Sequence, residues 1–269
     1  MTALDQHPLD TAPAVPPAAY PPIPLRRIVS TEVRKLFDTR SGFWLVVGVA
    51  LLAVLASAAV AALSSGAGMT YRAFTTAVDY PLTVVLPVVA ILSVTSEWSQ
   101  RSGLTTFTLV PRRGRVVAAK AVACVGVAVT TVPLTLAVGA LGNLAGTALP
   151  GITPVWDVTV TSMLTIVLSN VLGVLVGFVL GILVRGSVGA VVAYFVYALV
   201  LPALAVVLAG SQAWFATLQP WVDLRYAQGT LVDGTLTAAQ WQHLATSAAL
   251  WLLAPLAVGL VAVVRAEVK

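Results

Sequence analysis

Six stretches of this chain run for 17 to 37 residues without a charged side chain. Arg40 to Arg72 encloses 31 uncharged residues, Asp79 to Glu97 encloses 17 and Lys120 to Asp157 encloses 36. Asp157 to Arg185 encloses 27, Arg185 to Asp223 encloses 37 and Asp233 to Arg265 encloses 31. A helix crosses the roughly 30 Å hydrocarbon core of a bilayer with about 20 apolar residues. Five stretches are long enough outright, and the shortest extends back through Ala77 and Val78. The expectation is an all-α integral membrane protein of six transmembrane helices, at about 43–63, 77–96, 117–141, 159–184, 188–209 and 244–264. Barrel strands are short and alternate apolar with polar, whereas Phe43 to Leu63 is continuously apolar. Pro87, Pro133, Pro202 and Pro255 fall inside these spans. They read as kinks accommodated by neighbouring helices, with hinges as the alternative.

Composition agrees. Charged residues make up 9% and hydrophobic residues 59% of the 269, with a mean hydropathy of +0.96. Soluble domains carry about 25% charge, so a soluble enzyme, a secreted disulfide scaffold and a disordered chain are excluded. The one cysteine, Cys124, allows no intrachain disulfide.

The net charge of +5 is explained by topology. Thirteen of the fifteen Lys and Arg fall on one side of the six expected spans, and only Arg72 and Arg225 on the other. Positive charge marks the cytoplasmic side. Both termini are therefore expected in the cytoplasm, and nucleic-acid binding is discarded. Residues 1–24 hold seven prolines and read as a disordered cytoplasmic tail, not a signal peptide.

Two cytoplasmic elements stand out. Over 25–38, Leu25, Ile28, Val29, Val33, Leu36 and Phe37 follow helical spacing, with Arg26, Arg27, Arg34 and Lys35 on the opposite face. This is an amphipathic interfacial helix, reaching to about residue 40, suited to membrane lipids or a cytoplasmic partner. The connection between spans two and three, 97–116, has an acid (Glu97), then Arg101 and Gly103, a short run Leu104 to Val110, Pro111 and the basic group Arg112, Arg113 and Arg115. Lys120 opens the third span.

This segment resembles the first cytoplasmic loop of type-2 ABC exporter permeases, with Glu97, Gly103, Thr105, Thr106, Leu109, Pro111, Arg112, Arg113 and Lys120 in order. Glu32 to Leu36 and Thr39 to Trp44 are similar to that family's approach to span one. The resemblance implies a transport subunit without enzymatic activity, in the cytoplasmic membrane of a bacterium. It would pair with a second permease copy or a homologous permease in a dimeric pathway. Two copies of a separate ATP-binding subunit would hold ATP and Mg. Ser102 to Leu109 would be the coupling helix. Glu97, Arg101, Gly103, Leu104, Thr105, Phe107, Leu109, Pro111, Arg112 and Arg113 would serve ATPase coupling. Residues 25–40 would be the connecting helix, with Arg26, Arg27, Glu32, Arg34 and Lys35 facing the same partner. The segment 210–236 would supply outer re-entrant turns.

The chain lacks a phosphate-binding Gly-Lys-Ser/Thr, so it needs no cofactor of its own and any ATP is hydrolysed on a partner. His7 and His243 make no zinc-protease pattern, and no metal site is expected. No charged residue is expected mid-span. Asn170, inside span four, serves either interhelical packing or a translocation path. Gly173, Gly177 and Gly181 recur every four residues and read as a packing stripe. Thr237 and Gln240 have capping-box spacing, placing a helix start near Ala238, and Asp157 is expected to cap span four. The alternative to an exporter permease is a structural or assembly membrane protein without a transport cycle.

Overall fold

The computed structural model describes residues 24–37, 40–64, 68–99, 113–146, 148 and 153–265. Every regular element among them is helical. Helix α1 (Leu25–Phe37) is followed by α2 (Arg40–Leu63), α3 (Tyr71–Ser99), α4 (Arg113–Gly146) and α5 (Val160–Val184). Helix α6 (Ser187–Ser211) contains a π turn, Val196–Val200. Two short helices, α7 (Ala213–Val222) and α8 (Leu224–Gly229), lead through a 3-10 turn, Thr230–Asp233, to the last helix. That helix, α9, joins Ala238–Ala248, a second π turn Ala249–Leu253 and Ala254–Arg265.

Four of these helices are long and apolar enough to cross a membrane: Tyr71–Ser96, Gly114–Gly146, Val160–Val184 and Ser187–Ser211. Helix α2 adds the shorter apolar stretch Val47–Leu63. This is the build of a multi-pass membrane protein, in which each segment satisfies its own backbone. Large apolar side chains stay exposed along α2 (Leu51, Val54, Leu55) and α6 (Val188, Val206, Val207). Hydrocarbon, not water, suits such surfaces.

Helix α3 is the centre of the bundle, packed on α4 and α5 with α2 outside. Small residues permit this. A methyl added to Gly177 of α5 would sit 2.8 Å from Pro87 Cα, and one on Gly181 would sit 3.4 Å from Ile91 Cα. Gly173 has more room, with Pro87 Cγ at 3.7 Å. On α4, added methyls at Gly142 and Gly146 would meet the Phe74 ring at 2.7 and 2.8 Å. Lipid gives helices little hydrophobic reason to associate, so close backbone approach supplies the dispersion contact.

Two expectations are corrected. The second span begins at Tyr71 rather than near Ala77, so Asp79 moves from the expected span's first turn into the interior of α3, and an ionisable residue does stand well within a span. The early start is stabilised from outside. The Arg72 N–H donates to Asp157 Oδ1 (2.7 Å) and the Tyr71 N–H to the Val155 carbonyl (2.9 Å). Asp157 therefore serves α3, not α5. Thr159 caps α5 instead, accepting from the Ser162 N–H at 3.1 Å, because it stands immediately before the first helical residue. The capping box holds as read. Gln240 N–H donates to Thr237 Oγ1 (3.3 Å), Thr237 N–H donates to Gln240 Oε1 (2.8 Å), and the helix starts at Ala238.

Pro202 and Pro255 each stand just beyond a π turn. Proline brings no N–H and its ring crowds the carbonyl four residues back. The helix widens there: Leu201 N–H reaches back five residues to the Val196 carbonyl, and Ala254 N–H to the Ala249 carbonyl.

Replacing Gly177 with Ala is expected to lower the thermal midpoint by an amount equivalent to about 1–3 kcal/mol of overpacking. Gly126→Ala, which meets nothing within 4 Å, should cause no loss. Melting curves of the two variants in detergent check this.

Candidate functional site

Helix α1 turns one stripe toward the bundle. Ile28 and Glu32, one turn apart, are buried, with Val29, Val33 and Leu36 half-buried beside them. Arg26, Arg27, Arg34 and Lys35 are exposed. Glu32 thus occupies a position in the apolar stripe where a hydrophobic residue would be ordinary. Helix α4 presents a matching stripe of Val116, Ala119, Lys120 and Ala123, all buried.

The two stripes meet at an ion pair. Lys120 Nζ lies 2.5 Å from Glu32 Oε2, with each side chain 4% exposed. The same ammonium donates to the Ser93 carbonyl of α3 at 3.1 Å. Lys35 Nζ donates to the other carboxylate oxygen, Glu32 Oε1, at 2.7 Å. One charge cluster therefore ties α1, α3 and α4 together. Burial alone pushes the Glu32 carboxyl up. The Lys120 charge and the hydrogen bonds from Lys120 and Lys35 outweigh it and hold the group below the usual carboxylate range.

A second polar point lies between α3 and α5. Asn170 Nδ2 donates to Asp79 Oδ1 at 2.9 Å. Asn170 Oδ1 is buried and without a hydrogen-bond partner. A cavity of about 60 Å³ opens beside the pair, lined by Arg72, Thr76, Asp79 and Ser162 among others. Arg72 is occupied elsewhere, donating to the Val232 and Asp157 carbonyls at 3.1 and 3.2 Å.

Several residues singled out above have no described position. Arg101, Gly103, Leu104, Thr105, Phe107, Leu109, Pro111 and Arg112 lie outside the described residues. Glu97 and Arg113 fall in helix ends whose side chains are likewise outside them. Of the α1 residues, the bundle takes in Glu32 and leaves the four cations at the surface. Gly173, Gly177 and Gly181 all face α3 of the same chain.

The Glu32–Lys120 pairing escaped the pattern reading, although one signal existed. A lone acid in an apolar stripe and a lone lysine in an apolar span are natural partners. The inward fold of α7 and α8 left weaker traces. Trp251 Nε1 donates to the Val222 carbonyl at 2.7 Å. Trp251 stands about 20 Å along α9 from Ala238, at about 1.5 Å per residue. The α7–α8 turn therefore reaches deep between α6 and α9, where Leu224, Ala227 and Leu231 are buried in the main apolar core.

Neither models of known protein families nor curated proteins match this sequence.

Removing one partner of a buried pair leaves an uncompensated charge, so Glu32→Gln should destabilise by about 3–5 kcal/mol. Replacing both partners by leucine should cost far less. The pH dependence has a defined sign. A carboxyl held low in the folded state contributes stability at pH values above its unfolded pKa. That contribution is lost as the pH falls through the lower folded value. The stability gap between the wild type and Glu32→Gln should therefore be constant near neutrality and close in acid. Denaturation midpoints across pH read it directly.

Proposed function

We propose that this chain is the membrane-spanning permease subunit of an ATP-driven ABC exporter in a bacterial cytoplasmic membrane. It has six spans, both termini cytoplasmic, and works as a dimeric pathway with a second or homologous permease. Two copies of a separate subunit bind ATP and Mg and hydrolyse the nucleotide. The observation that carries the reading is the Glu32–Lys120 pair. It fastens the amphipathic helix to the end of the bundle where α4 begins, next to the segment 100–112 in sequence, since Lys120 stands two turns inside α4. A push on that segment and a push on α1 reach the same charge cluster, and through Ser93 they reach α3. Helix α3 in turn contacts α4, α5, α2 and the start of α6.

The inward fold of 213–233 supports the same reading. It supplies a short hairpin between the last two long helices, as the family resemblance implies for 210–236. The net charge fits as well, because the exposed Arg26, Arg27 and Arg34 give α1 a basic face for anionic lipid or an acidic partner surface.

The chain is expected to co-purify with an ATP-binding protein. Leu104→Ala, Phe107→Ala and Arg112→Ala should leave that association while disconnecting ATP hydrolysis from efflux. Affinity purification from the native membrane, with ATPase and efflux assays on the variants, checks both. Absence of an associated ATPase, with efflux untouched by the loop changes, contradicts the reading.

A further inference from the structure

A cavity of about 230 Å³ opens beside the two π turns, at the turn between α7 and α8. Its walls include Tyr197 from one π turn, Trp251 from the other, Phe215 of α7, Leu204 and Leu208 of α6, and Asp223. The Tyr197 and Trp251 rings lie 5.0 Å apart at 57°. Tyr197 is 5% exposed, and its hydroxyl is buried with no hydrogen-bond partner. Asp223 accepts from two neutral donors, the Tyr226 N–H at 3.0 Å and Gln219 Nε2 at 3.1 Å. Among the described residues, no cation forms an ion pair with it. Arg225, two residues on, does not line the cavity.

We propose that this cavity binds an amphiphilic organic cation, its ammonium group held by Asp223 and the aromatic rings and its apolar tail along α6. Two independent features favour a cation. Ring faces attract positive charge, and a desolvated site strengthens the attraction. The half-buried Asp223 carboxylate, hydrogen-bonded only to neutral donors in a mostly apolar wall, gains from a countercharge. The two π turns account for the geometry. Each inserts an extra residue into its helix, which turns Tyr197 and Trp251 toward the same space, and such bulges recur at functional sites. An acyl chain alone would use the leucines and leave Asp223 uncompensated. The site is read without reference to transport, so it stands or falls separately from the exporter assignment.

The test is saturation binding to the full chain in nanodiscs of zwitterionic lipid, with empty nanodiscs as the blank. The probes are radiolabelled octyltrimethylammonium and octanesulfonate, alike in tail and opposite in charge. The wild type should bind the ammonium probe saturably and the sulfonate weakly. Asp223→Asn keeps a side chain able to cap α8 and should weaken the ammonium probe about tenfold or more by removing the countercharge. Tyr197→Phe, which keeps the ring and removes only a buried hydroxyl, should leave the ammonium affinity within about twofold. Equal or tighter sulfonate binding, no saturable binding of either probe, or full ammonium affinity in Asp223→Asn would each overturn the proposal. Circular dichroism and melting of the variants separate lost binding from lost folding.

Discussion

A single buried ion pair decides how the amphipathic helix relates to the rest of the molecule. Without Glu32 and Lys120, α1 would be one more basic helix lying on a membrane. Its buried face otherwise holds Ile28 and three half-buried side chains, a small apolar contact. The pair changes its status, because each ion is costly to bury alone and tolerable only with the other. That condition sets the register of α1 on α4 to one residue. Buried pairs add little net stability over a hydrophobic replacement, and this one is better understood as a registration device. The third contact, from Lys120 to the Ser93 carbonyl, extends the registration to α3, the helix that the bundle is assembled around.

Much of the helical layout is legible from charge spacing, because charged residues avoid the hydrocarbon and so mark its edges. The reasoning falters where a charge is tolerated inside. Arg72 and Asp79 read as boundary residues, yet both belong to α3. Arg72 is accommodated by carbonyls of distant loops, and Asp79 by Asn170 on another helix. Those partners lie 85 to 160 positions away, and a local window holds no trace of them. Caps are legible when the side chain acts on its own helix, as Thr237 does. They are missed when a residue such as Asp157 acts on another. Of the candidate site, the amphipathic pattern of α1 is plain in the sequence. The identity of its buried polar partner required the fold.

The prolines illustrate a different limit. Their positions announce that two helices depart from regularity, and the direction of the departure is set by packing. In α6 and α9 the helix widens into π turns rather than bending about an open gap. The two turns stand at one level, and the hairpin of α7 and α8 descends to meet them. Its tip is fixed by the Trp251 bond to the Val222 carbonyl and by the Trp221 ring against His243, 4.4 Å between centroids. The far side of the chain is thus tied to the middle of the bundle, as the near side is tied to α1. Both ties join on helices that α3 or α5 contacts, giving the fold a continuous path from one face to the other.

The most direct measurement is amide hydrogen exchange of the full chain in nanodiscs, resolved to peptides within 25–37, for the wild type and Lys120→Met. The account predicts that α1 is protected in the wild type. In the variant it should exchange about tenfold faster or more, as a locally opened unit, while 160–184 stays unchanged. An α1 that exchanges freely in the wild type, or that is indifferent to the loss of Lys120, would contradict the claim that this ion pair fastens it to the bundle.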